Sequence, residues 1–179
     1  MPAAAIAALI ALPLAACTPA QPTTTPTRTS AHTPLFASDE EALKAATDAY
    51  AAYLKMSDTI SHDGGANPER IKAYATGKAL DLAIKSAAQF RDAHAKSVGT
   101  TTFRDVRLQS QSSGGHKVAI YACEDVSGID VLNASGESIV KPDRKTLSAF
   151  LVSLTTSSSA PTLKVEDRET WPIEGICSS

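Results

Sequence analysis

The sequence predicts an α+β domain, with N-terminal helices packed on a curved antiparallel sheet. Apolar residues recur at helical spacing over residues 38–98, and after Gly99 the period changes from 3.6 to 2. The second half is then divided by short clusters of turn-forming residues, as hairpins require.

The first helix is expected over residues 39–59. Ser38-Asp39-Glu40-Glu41 has the form of a capping box, with acids in the first turn where the helix dipole favours them. Leu43, Ala46, Tyr50, Tyr53 and Leu54 follow at helical spacing, and His62-Asp63-Gly64-Gly65 is the terminating loop. A short second helix starts at Asn67-Pro68-Glu69, with proline at the first helical position, and ends near Thr76-Gly77. A third helix is expected over residues 78–98. Leu80, Ala83, Ile84, Ala87, Phe90, His94 and Val98 form its buried side, and Gly99 is its stop.

Strands follow over residues 101–109, with Phe103, Val106 and Leu108, and over residues 116–124, whose apolar content predicts burial on both faces. Residues 129–132 and 137–140 form a hairpin around Asn133-Ala134-Ser135-Gly136. The last strands span residues 146–156 and 162–171, joined by a Ser-rich turn, with Leu163, Val165 and Trp171 in phase.

Before the domain, residues 1–16 are apolar or small and carry no charged side chain. That run is shorter than the ~20 apolar residues a spanning helix needs and matches the apolar region of an export signal. Its end, Leu14-Ala15-Ala16-Cys17, resembles a bacterial lipobox, with leucine where an ordinary signal peptidase wants a small residue. The reading is a lipoprotein signal peptide (residues 1–16), then a lipidated Cys17 and a Thr/Pro-rich tether (17–37), then the α+β domain (38–179). Two acyl chains on Cys17 would anchor it, since one alone holds only marginally. The tether has Pro19, Pro22, Pro26 and Pro34 and almost nothing to bury, so it extends towards polyproline II, at about 3.1 Å per residue.

The chain has three cysteines. Acylation of Cys17 leaves Cys123 and Cys177 as a pair, and an exported domain lies where disulfides persist. With no Cys-x-x-Cys and no His-rich cluster, no metal site is expected. The net charge of −2 is not the footprint of a nucleic-acid binder. Gly-x-Ser-x-Gly, Gly-x-x-x-x-Gly-Lys, Gly-x-Gly-x-x-Gly and His-Glu-x-x-His motifs are all absent, and no cofactor is implied.

Helices first, then hairpinned strands, resembles the nuclear-transport-factor-2-like (cystatin-like cone) superfamily. Ala122-Cys123-Glu124-Asp125-Val126-Ser127-Gly128-Ile129-Asp130-Val131, with Gly136, the 140–144 segment and the closing Trp171…Cys177, is similar to actinobacterial exported lipoproteins of that fold. The resemblance implies fold and location. The superfamily also contains isomerases and cyclases with an Asp base inside the cone, but none of their motifs carries over, and fold does not fix function.

Candidate acid–base groups are Asp58, His62 and Asp63 at the end of the first helix, which also fit a polar loop, and Glu124-Asp125, which also fit a solvated strand end. His94 and His116 have no partner at ligand spacing. Asp143-Arg144 reads as a local ion pair, and the sequon Asn133-Ala134-Ser135 as a turn. Tyr50, Tyr53, Phe90, Tyr121, Phe150 and Trp171 are candidates to line a pocket between helices and sheet, although a core needs the same residues. The leading expectation is a non-catalytic module on the extracytoplasmic face of the cell membrane. It would bind a small apolar ligand or an envelope protein. The alternatives are a small isomerase- or cyclase-type enzyme using an Asp or His in the cone, and a structural spacer.

Overall fold

The computed structural model describes residues 34–156, 162–172 and 177. The signal region, Cys17, most of the tether and the turn at 157–161 lie outside these residues. No helix among the described residues is long and apolar enough to cross a membrane.

The domain is α+β, as expected. Helices α1 (Asp39–His62) and α2 (Gly77–Asp92), linked by a 3₁₀ segment (Pro68–Ala73), precede six strands. These are β1 (Lys96–Val98), β2 (Thr102–Gln111), β3 (Lys117–Asp125), β4 (Asp130–Leu132), β5 (Leu147–Thr155) and β6 (Lys164–Thr170). The main sheet has the order β2-β3-β5-β6 and is antiparallel throughout, while β1 and β4 form a separate antiparallel pair.

Helix α1 begins as its sequence prescribes. The Ser38 side chain accepts from the Glu41 backbone N–H at 3.2 Å. The reciprocal arm reaches one residue further back than expected, Ala37 N–H donating to Glu41 Oε2 at 2.7 Å. The helix ends when Gly65 N–H bonds Ile60 O and Gly64 N–H bonds Ser61 O, with Gly64 at φ 63°. This is a Schellman stop with glycine in the left-handed position.

Helix α2 uses the same device without glycine. Ala95 N–H bonds Phe90 O, His94 N–H bonds Arg91 O, and His94 itself adopts φ 48°. The third helix expected to reach Val98 therefore stops at Asp92, and residues 96–98 become β1. Gly99 ends no helix. It sits at φ 92° after β1, and a Cβ there would lie 1.9 Å from the Gly128 carbonyl oxygen, so the position admits only glycine.

The hairpin after β4 is also smaller than expected. Asn133 Oδ1 accepts from Ser135 and Glu137 N–H in the expected turn, but the returning arm amounts to one bridge, Leu132 with Ser138, and β4 pairs with β1 instead.

Along β3, Val118, Ile120, Ala122 and Glu124 are buried towards the helices, and the odd-numbered residues lie on the opposite face. The core between helices and sheet includes Ala42, Ala46, Tyr50, Leu54, Ile71, Val118, Ile120, Val152, Leu154 and Val165. Small alanines on α1 and α2 let these helices lie close to the sheet. The sheet's outer strands carry register shifts: two in β2, around Asp105 (φ 55°) and between Leu108 and Ser110, and one in β6, where Glu166 is the extra residue between Val165 and Asp167.

Cys123 and Cys177 are joined in a disulfide, with Cα atoms 5.5 Å apart. The bond ties the end of the chain to the outer face of β3. Closing a loop 54 residues long stabilises by about 4 kcal/mol in the chain-entropy model.

Candidate functional site

A cavity of about 370 Å³ lies between the two helices and the sheet. Tyr53, Leu54 and Ile60 of α1, Leu82, Ala83, Ala87 and Phe90 of α2, Ile71 and Val126 give it apolar walls. Ser57, Asp58, Ser61, Ser86, Thr101, Glu124 and Arg168 supply the polar groups. Leu82 is half exposed at its side of α2.

Glu124 is 3% exposed. Arg168 Nε donates to its Oε1 at 2.6 Å, Arg168 Nη2 donates to its Oε2, and the Tyr50 hydroxyl donates to Oε1. The guanidinium lies 3.7 Å above the centre of the Phe150 ring. Tyr50 is fully buried and packs edge-on against Phe103, with ring centres 5.2 Å apart. A buried carboxylate is tolerated only when paired and hydrogen-bonded, and this one has a forked arginine and a phenol.

Asp58, also buried, accepts from Thr101 twice, from the backbone N–H and from Oγ1, each at 2.8 Å. The neighbouring hydroxyls are engaged too. Ser57 Oγ donates to Tyr53 O at 3.0 Å, Ser61 Oγ to Asp58 O at 3.0 Å, and Ser97 Oγ to Ser61 Oγ at 2.7 Å.

The structure separates residues that the sequence grouped. Asp58 faces the cavity, whereas His62 Nε2 bonds the Gly99 carbonyl at 2.8 Å and Asp63 pairs with Arg70 at 2.6 Å, both on the surface. His94 and His116 are exposed. Glu124 and Asp125 diverge: Glu124 does not solvate a strand end, while Asp125 does cap the following turn, accepting from Ser127 N–H at 2.7 Å. Hydrogen bonds from Ser127 hold the Asp125 carboxyl below its ordinary range. Arg144 makes no ion pair with Asp143. It donates to the carbonyls of Val126 (2.9 Å) and Ile129, closing the loop after β3.

Of the aromatic candidates, Tyr53 and Phe90 line the cavity, Tyr50 stands behind it against Glu124, and Phe150 supports Arg168. Tyr121 and Trp171 lie on the opposite face of the sheet, ring centres 5.3 Å apart, and line nothing between helices and sheet. Arg168, the one cation among the described lining residues, has no motif in the sequence to mark it. The extra residue at Glu166 turns Arg168 inward opposite Val152 and sends Trp171 outward, reversing the simple alternation from Leu163 and Val165. No group of three or more metal-ligating side chains occurs among the described residues.

No protein-family model and no curated protein matches the chain. Among solved structures, the intermembrane-space region of the chloroplast protein ARC6 is similar. It has a TM-score of 0.53 and 12% identity, over 72% of this chain and 95% of that one. At that identity the likeness concerns the fold alone.

Proposed function

We propose that this protein is a membrane-anchored, extracytoplasmic lipoprotein of the nuclear-transport-factor-2-like kind. Its domain is a non-catalytic binding module holding a small, largely apolar ligand between helices and sheet. The cavity carries this reading. Its size and its apolar walls with a few fixed polar groups are those of small-molecule sites. Export and anchoring rest on Leu14-Ala15-Ala16-Cys17, and a disulfide suits an oxidising compartment.

The isomerase or cyclase reading has one observation in its favour, a buried Asp58 facing the cavity. Such chemistry also needs a donor aimed where negative charge develops. The hydroxyl protons of Ser57, Ser61 and Thr101, which share the wall with Asp58, already go to protein acceptors.

Titration with the neutral dye N-phenyl-1-naphthylamine tests the binding reading. The wild type is expected to enhance its fluorescence at one site per chain. Ala83→Phe, which fills the cavity from α2, should weaken binding at least tenfold while leaving the circular dichroism unchanged. Equal binding by a folded Ala83→Phe protein would refute the cavity as the site. Anchoring is tested separately: Cys17→Ala should move the protein out of the membrane fraction, and retention there would refute it.

A further inference from the structure

The cavity's hydrogen-bonding capacity is lopsided. The Ser57, Ser61 and Thr101 protons are committed to Tyr53 O, Asp58 O and Asp58 Oδ1, and the Thr101 N–H to Asp58 Oδ2. What these groups still offer is lone pairs: on the Ser57 and Thr101 hydroxyl oxygens, on Ser61 Oγ beside the bond it accepts from Ser97, and on the Asp58 carboxylate, which takes one bond at each oxygen. The donors left among the described lining residues are the Tyr53 and Ser86 hydroxyls and the remaining N–H groups of Arg168. Arg168 has spent Nε and Nη2 on Glu124, which matches its charge.

Charge leans the same way. Two carboxylates, Asp58 and Glu124, face one guanidinium, so one negative charge is in excess, and Glu124 already belongs to Arg168. Asp58 has no ion-pair partner among the described residues, and it is buried, where the lack is most costly. The walls also carry the aromatic side chains Tyr53 and Phe90, of the kind that attract a cation.

Resting on the reading of the cavity as the ligand site, we propose that it selects molecules with an apolar body and a cationic, hydrogen-bond-donating head. The head is a primary or secondary ammonium, and Asp58 is its counter-ion. An ammonium brings donors and no acceptor, complementing a wall rich in lone pairs. A carboxylate or phosphate head would meet Asp58 with like charge and leave those lone pairs unmatched.

Three probes of equal length separate the possibilities: decylamine, decan-1-ol and decanoate, titrated calorimetrically below their micellar concentrations at pH 7, where the amine is protonated. The wild type should bind decylammonium at least tenfold more tightly than decanol, with decanoate weakest. Asp58→Asn should bring amine and alcohol within about threefold of each other. Equal affinities in the wild type, or decanoate binding best, would overturn the cationic head and leave an apolar binding site standing. An amine preference that survives in folded Asp58→Asn protein would overturn Asp58 as the counter-ion. Failure of all three to bind would refute the cavity reading itself. The order of the three ligands on the wild type decides the selectivity even where Asp58→Asn does not fold.

Discussion

Glu124 and Asp125 are neighbours in the chain with the same charge, and the sheet places them on opposite faces. Glu124 points among the helices, where a forked arginine and a tyrosine hydroxyl hold it. Asp125 points outward and serves a turn. The same division runs through the sheet. The helix side carries the core, the ion pair and the cavity. The far side carries a ring contact between Tyr121 and Trp171 and a disulfide. Order on one side depends on matched polar groups, and on the other on a covalent clasp. The two should fail under different insults.

The largest effect is expected on the helix side. Arg168→Met leaves Glu124 buried without its cation and should cost about 3–5 kcal/mol in denaturant unfolding. Adding Glu124→Met should recover much of that loss, because an apolar pair needs no desolvation of charge. A double variant as unstable as the single would show that the site is not a charge pair in isolation.

On the far side, Cys177→Ala should cost about 2–4 kcal/mol, and the same loss should follow from reduction of the wild type. Arg168→Met should be indifferent to reductant beyond that shared loss, since its defect lies across the sheet. Strong coupling between the two would dissolve the division between faces.

The smallest effect concerns Asp125. Its carboxyl is held below the ordinary value by the Ser127 hydrogen bonds, the side-chain bond first and the backbone bond second. A lowered folded-state value contributes stability above about pH 4, the unfolded value, and that contribution is lost as the pH falls through the folded value. Asp125→Asn should therefore lower stability slightly at neutral and alkaline pH, flatten the acid side of the profile, and match the wild type once the pH falls below the folded value. A profile steeper in the variant would contradict the sign.

Much of the architecture is legible in the residues. The α1 cap, the proline at the 3₁₀ start and the change of period after Gly99 place the elements to within a few residues. The cysteine count anticipates the disulfide. The losses have two local causes. Helix α2 ends on a left-handed histidine, so the glycine signal that marks α1 is missing, and the next glycine, Gly99, suggests an end at Val98. Strand β6 carries an extra residue at Glu166, and a single insertion exchanges the faces of everything after it. That insertion turns Arg168 of the acidic run 166–169 inward to Glu124 and puts Trp171 on the far face beside Tyr121, neither of which simple alternation along the strand predicts.

The proposed binding site requires the space between helices and sheet to stay open when empty. Xenon-pressurised crystals report this directly, since an apolar chamber takes up the gas. An anomalous peak is expected among Tyr53, Leu54, Ala83 and Phe90, abolished in Ala83→Phe. Crystals whose helices and sheet close together there, with no xenon between them, would contradict it.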